Sequence, residues 1–271
     1  MGYLRLRQIA LVASDLATTE KQIADVLGLE ICFRDPGVGK YGLHNALFAM
    51  GGTFLEIVAP TQPNTAAGRY IERRKGDGGY MYIVDCDDLE HRREHFIKHG
   101  VRLVEDLKSS EGALTGEALH LHPRDTGGCL LSVDRHSPDG ETMSGSYKWA
   151  GPHWQAHDRS ATIGAIIGAG IQSPNPEALA ARWSELLERP VGKASEGDAL
   201  EIRLDQTFVR FGPLHDDRGE GLRAVHLRCK DKASVLAAAD KAGVHRGENY
   251  VDLVGVRFVL VHGARPQIEE E

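Results

Sequence analysis

Four times along the chain an apolar strand runs into an Asp or Asn, then an amphipathic helix, then a Gly or Pro stop. RQIALVA leads to Asp15, to a stripe of Leu16, Ile23, Val26 and Leu27, and to Gly28. MYIVDC leads to Asp87 or Asp88, to Leu89, Phe96 and Ile97, and to Gly100. GAIIGAGIQS leads to Asn175 with Pro176 at the first helical position, to Leu179, Trp183, Leu186 and Leu187, and to Pro190. LRAVHLRC leads to Asp231, to Val235, Leu236 and Ala239, and to Gly243. Capping oxygens satisfy the first free N–H groups of a helix, and Gly or Pro cannot continue it, so each recurrence marks a helix start and stop. Further strand-like runs follow each helix, at 43–50 and 53–59, 118–121 and 129–134, 199–204 and 207–211, and 256–262. The unit is therefore βαβββ. One such unit cannot bury both its helix and its sheet, so the units must pair into two lobes, an α+β architecture with helices outside mixed sheets. Residues 135–161 are polar and rich in Gly, Pro and Ser, which places the first lobe at 1–135, a connector at 136–160 and the second lobe at 161–271. Tyr147, Trp149 and Trp154 in that connector carry too much apolar surface to leave in water, so it is expected to pack as a lid or bridge.

At 271 residues and 41% hydrophobic content the chain can bury a real core. Its formal charge of -7, with cations scattered through it, offers no basic face to nucleic acid or anionic lipid, and a small-molecule ligand or substrate is the expected partner. No run approaches the roughly 20 apolar residues of a membrane span, and the start of the sequence has Arg5 and Arg7 inside a strand pattern rather than a leader, so the expectation is a cytoplasmic protein. A homodimer is compatible with the sequence. Cys32, Cys86, Cys129 and Cys229 lie in or beside apolar strands without a CxxC pair and are read as reduced thiols.

QIALVASDL with a helix ending VLGLE, the LEIVAP strand and DCDDLEHRREHFIKHGV resemble the vicinal oxygen chelate superfamily, which includes glyoxalase I, bleomycin resistance proteins and extradiol dioxygenases. YGLHNALFAMGGTFLEIVAP and GRYIERRKGDGGYMYIV resemble its glyoxalase-like branch. The resemblance implies that each lobe is a cupped sheet. It also implies metal-ligand positions on the first and last strands of each module, which here are Gln8, Glu56, Met81 and Ser132. Only Gln8 and Glu56 suit an ordinary divalent ion, a half-site; one divalent metal and a metal-free protein are equally allowed. The corresponding second-lobe positions, Gly168, Arg210, Ala224 and Val259, hold no ligand set, and that lobe, with His226 its one nearby imidazole, is expected to be scaffold or interface. His44, His120, His122, His136, His153 and His157 are the imidazoles available to complete a first-lobe site.

Gln8 and Glu56 also stand out as polar residues inside apolar strands. A carboxylate beside Phe54, Val58 and Met81 would be desolvated and its pKa raised toward neutral, which suits proton abstraction next to a carbonyl. The alternative is that Glu56 merely pairs with Gln8, Arg5 or Arg7. His44 and Asn45 are adjacent, so only one can face the cup. Catalytic candidates are thus Glu56, His44 and His122; candidates for contacting substrate are Asn45, Phe54, Met81 and Arg124, the last able to hold a carboxylate bidentately from the turn HPRDTGG. A short helix capped by Asn64 and ending at Arg73, Arg74 and Lys75 needs no ligand to explain it. The expected function is a vicinal-oxygen-chelate-like enzyme of lyase, isomerase or dioxygenase type acting on a small carbonyl, enol or aromatic metabolite in the first-lobe cup. The alternative is a non-catalytic binder of the bleomycin-resistance type.

Overall fold

The computed structural model describes residues 2–195 and 197–263; the end of the second-lobe range, 264–271, lies outside the described residues. The first lobe contains β1 (Leu4–Val12), α1 (Leu16–Leu27), β2 (Ile31–Phe33), β3 (Leu43–Met50), β4 (Thr53–Pro60) and α2 (Ala66–Arg74). It continues with β5 (Gly78–Cys86), α3 (Leu89–Lys98), β6 (Leu103–Glu111), β7 (Leu114–Leu121), a short α4 (Pro123–Thr126) and β8 (Leu130–Ser137). The second lobe contains β9 (Ile163–Gln172), α5 (Pro176–Leu187), β10 (Val191–Lys193), β11 (Leu200–Leu204) and β12 (Thr207–Gly212), then β13 (Gly221–Cys229), α6 (Lys232–Lys241), β14 (Tyr250–Leu253) and β15 (Val256–His262).

The strands form an eight-stranded sheet of order β2-β3-β4-β1-β5-β8-β7-β6 and a seven-stranded sheet of order β10-β11-β12-β9-β13-β15-β14. In each, two units join through their first strands: β1 runs antiparallel to β5, and β9 antiparallel to β13. The fold is thus α+β with two mixed sheets, one per lobe. The fourth unit has two strands after its helix rather than three; Ala242 to Asn249 makes a turn with a single bridge, Arg246 to Val251, instead of the extra strand. Asp15, Asp88, Asn175 and Asp231 each accept a backbone N–H at their helix starts. The cap of α2 is Thr65 rather than Asn64, which adopts φ 62° and turns the chain into the helix.

Alternation sorts each strand of the first sheet into two faces. Leu4, Leu6, Ile9 and Leu11 of β1 join Phe48, Leu55, Tyr82 and Leu131 in one core that also takes Ile166, Ile171, Trp183, Phe211 and Leu227 from the second lobe. The two sheets therefore pack back to back through their helix-bearing faces, and their other faces turn outward as separate cups. Tyr82 fixes this contact by donating to the Phe208 carbonyl at 3.2 Å and meeting Trp183 edge-on. The first cup is filled at one end by the connector, where Tyr147 and Trp154 are buried on Leu47, Ala49 and Phe54. Its other end is covered by α2, with Ala67, Tyr70 and Ile71 on Val12 and Val58.

Candidate functional site

Between these two plugs lies Glu56. The parallel register of β1 and β4 sets Gln8 beside Phe54 and Ala10 beside Glu56, and β3 brings Asn45 against Val58, so Gln8, Asn45 and Glu56 share the cup face. The carboxylate is 8% exposed. Gln8 Nε2 donates to one of its oxygens at 2.8 Å and Asn45 Nδ2 to the other at 2.6 Å. The amide carbonyls are held from behind: Tyr147 donates its hydroxyl to Gln8 Oε1 at 2.9 Å, and the Asp35 backbone N–H donates to Asn45 Oδ1 at 2.8 Å. Burial pushes the Glu56 pKa up to about 7, against the two amide hydrogen bonds that pull it down. Among the described residues no arginine bonds it. Arg5 instead bonds Asp85 at 2.9 Å and the Gly140 and Glu141 carbonyls of the connector, and Arg7 lies 3.9 Å from Asp85 and over the rings of Phe54 and Tyr147. Of the three partners open to Glu56, Gln8 is the one it meets, joined by Asn45, while Arg5 and Arg7 turn to Asp85, which stands on β5 opposite Arg5.

A second buried carboxylate stands on the same face. Asp134 accepts from Ser132 Oγ at 2.5 Å and from Trp149 Nε1 at 2.7 Å, and burial raises its pKa to about 7 as well. It follows Ser132 by two residues in β8, so the criterion that singled out Glu56, a carboxylate in an apolar strand, applies to Asp134 also. Tyr147 is the other member that sequence reasoning missed as a site residue; it comes from the connector, and no strand periodicity reaches it.

The remaining candidates are placed as follows. Phe54 is fully buried and stacked on Tyr147, centroids 4.3 Å apart. Met81 is half-buried and pairs in register with Ala10, next to Glu56. His44 is exposed on the opposite face from Asn45, since neighbours in a strand alternate. His122 caps α4 by accepting the Arg124 N–H on Nδ1 at 3.2 Å, and Arg124 is exposed; both belong to the edge of the lobe rather than to the cup. His120 is on the cup face, opposite Ser132, and burial lowers its pKa to about 4, so it is neutral. His136 is neutral too, driven down by burial and by Arg7 and Arg5, and sits between the Tyr147 and Trp149 rings. His157 binds Glu30 at 2.7 Å, and His153 is exposed.

Gln8 and Glu56 do not form an open metal half-site. The amides present N–H groups to the carboxylate, whose two oxygens are both engaged, the Gln8 carbonyl is taken by Tyr147, and Ser132 is committed to Asp134. A divalent ion needs oxygen lone pairs converging on one point. Among the described residues no three His, Cys, Asp or Glu side chains gather to hold one.

A glyoxalase-like domain model matches residues 9–187. The chain belongs to the glyoxalase-like domain family. Within the vicinal oxygen chelate superfamily, it is similar over 131 residues, at 22% identity, to the ethylmalonyl-CoA/methylmalonyl-CoA epimerase of Cereibacter sphaeroides, covering 48% of this chain and 97% of that one. A hypothetical protein from Staphylococcus aureus shares the two-lobe fold, with a TM-score of 0.67 at 12% identity over 96% of this chain and 99% of that one. Methylmalonyl-CoA epimerase from Mycobacterium tuberculosis aligns with a TM-score of 0.43 at 23% identity, covering 49% of this chain and 89% of its own. Among the described residues no helix is long and apolar enough to cross a membrane.

Proposed function

We propose that this glyoxalase-like protein is an enzyme that moves a proton at the carbon next to a carbonyl of a small metabolite, with Glu56 as the base in the first-lobe cup. The observation that carries this reading is a buried carboxylate, fixed by two amides, whose pKa of about 7 matches a base working at neutral pH. As the carboxylate, Glu56 takes the proton from carbon; the electron pair of the broken C–H bond moves to the carbonyl oxygen as an enolate. Return of the proton to the same carbon completes an epimerisation, and return to a neighbouring atom an isomerisation. Gln8 and Asn45 keep the base in one orientation, and Tyr147 and the Asp35 N–H keep the amides in place. Toward the α2 end of the cup Glu56 is followed by half-buried Met81, paired with Ala10, and Tyr80, which packs with Val12 and Val58. The distant relative, an epimerase named for ethylmalonyl-CoA and methylmalonyl-CoA, supports the same type of chemistry and an acyl thioester or similar carbonyl compound as substrate.

A panel of small acyl thioesters and keto acids in deuterated buffer tests this reading by exchange at the α carbon. Wild type exchanges at least one of them, and Glu56→Gln lowers that exchange by about 100-fold or more. No exchange across the panel, with the same compounds binding saturably, would favour the second reading, a non-catalytic binder. That reading is supported by the stacking of Tyr147 on Phe54, which fills with aromatic side chains one end of the cup.

A further inference from the structure

Among the described residues the outward face of the second sheet has no counterpart of the connector packed into it, and Trp154 and Gln155 only border its cleft. At one level across this sheet the register reads Glu201, Arg210, Gly170, Ala224, Arg257 and Asp252; Phe208, Gly168, His226 and Val259 run across the next level, with Tyr250 beside Val259. Gly170 and Ala224 leave a trough between the two arginines, which lie three strand spacings apart, about 14 Å from Cα to Cα. Each arginine is braced the same way. Arg210 donates from Nε to Glu201 at 2.8 Å and lies 4.4 Å over the Phe208 ring; Arg257 donates from Nε to Asp252 at 2.9 Å and lies 3.5 Å over the Tyr250 ring. Arg203 also bonds Glu201, so three guanidiniums face two carboxylates, a formal excess of one positive charge. The terminal Nη atoms of Arg210 have no protein partner among the described residues, while its Nε side is tethered. His226 forms the bottom of the trough, edge-on to Phe208 at 5.1 Å, and burial holds it neutral with a pKa of about 4. A cleft of about 1200 Å3 extends from Phe208 and Arg210 past Ile167 to Trp154 and Gln155 of the connector.

We propose that this second cup is a separate binding site for a planar, unsaturated or aromatic carboxylate, its acid group on the free fork of Arg210 and its apolar body over the Gly170 backbone and Ala224, with Phe208 and His226 as its wall. A guanidinium held by its Nε side presents two parallel N–H groups that match a carboxylate, and the ring stacking beneath it fixes their direction before the ligand arrives. Gly170 allows the ligand's flat face to approach the strand. Phe208 already lies over Gly168, since a Cβ there would come within 2.4 Å of its ring, so the ligand edge meets an aromatic wall rather than a bare sheet. The proposal is independent of any reaction at Glu56, which lies in the other cup.

The probe is 2-naphthoate, with neutral 2-naphthamide as the shape control, titrated by calorimetry and by the ring-proton NMR signals of His226. Wild type binds naphthoate saturably, at least about ten-fold tighter than naphthamide, and Arg210→Gln removes that preference while circular dichroism stays unchanged. Arg257→Gln, which leaves the Glu201 pairs intact, weakens naphthoate binding less than Arg210→Gln does. Glu56→Gln leaves it as in wild type, and the His226 signals shift on binding. Equal affinity for acid and amide, absence of saturable binding, binding undisturbed by both arginine substitutions, or loss of binding in Glu56→Gln would each overturn the proposal. Should Arg210→Gln fail to fold, the acid-to-amide comparison in wild type together with Arg257→Gln decides it.

Discussion

Replacing Glu56 by Gln tests the desolvation argument without any knowledge of substrate. An ordinary carboxylate titrates at 4.5, whereas Glu56 in the folded protein titrates at about 7. The folded pKa is the raised one, so the contribution to stability is fully present below 4.5 and is lost as pH climbs to about 7. Between those limits the unfolded chain has released its proton and the folded one still holds it, a shift that corresponds to about 3 kcal/mol of stability. Gln at this position abolishes the titration. It also loses one acceptor, since its own N–H2 must face either Gln8 or Asn45, and this mismatch costs about 1 kcal/mol at every pH. The variant should therefore be less stable than wild type at pH 4.5 by about 1 kcal/mol, and more stable at pH 8 by about 2 kcal/mol. In a chain of this size that is about 4–8 °C in Tm at the alkaline end. Thermal or urea unfolding of both proteins across this range measures it, and the difference between them cancels Asp134, which titrates in the same window. A destabilisation that is the same at pH 4.5 and pH 8 would refute the reasoning, because it would mean that the Glu56 carboxylate is not desolvated.

Asp85→Ala should destabilise the fold by about 3–5 kcal/mol, since it leaves the buried Arg5 and Arg7 without their shared carboxylate; urea unfolding reads this directly. Tyr147→Phe removes the hydroxyl that holds Gln8 and should cost about 1 kcal/mol in the same assay, and any activity found should fall with it as Gln8 loosens. If Glu56 is the base, kcat/KM of that activity should be low in acid, rise through about pH 7 and level off above it, as the carboxylate rather than the acid accepts the proton. Gly52→Ala should loosen the connector: Gly52 has φ +78°, and a Cβ would fall 1.9 Å from the Met143 carbonyl oxygen. Hydrogen exchange over Tyr147 to Trp154, which the burial of Tyr147 and Trp154 should make slow in wild type, should then speed up.

The sequence by itself determined the recurrence of strand, cap, helix and stop, the pairing of units and that Glu56 is a carboxylate inside an apolar strand. These are local properties: a capping Asp lies three residues before the N–H it accepts, as with Asp15 and Thr18, and a period of two assigns Gln8 and Glu56 to faces without knowledge of any neighbour. What surrounds Glu56 was decided only by the tertiary structure. Asn45 and His44 were equal candidates until the β3–β4 register put Asn45 inside, and Arg5 was a candidate partner until β5 set Asp85 across from it. Tyr147 reaches Gln8 across 139 residues of sequence, a contact that depends on how an irregular connector closes on the cup. The expected metal half-site likewise turned on direction. A Gln and a Glu at those positions could converge on an ion or on each other, and in the folded cup Gln8 donates to Glu56, Asn45 takes its other oxygen and Tyr147 takes the Gln8 carbonyl. The positions Gly168, Arg210, Ala224 and Val259 hold no metal ligands, which from sequence makes the second lobe scaffold or interface. Ala224 comes beside Gly170 and between Arg210 and Arg257 only once β9 and β13 lie side by side and β12 and β15 flank them, and a linear sequence cannot display that juxtaposition of distant strands.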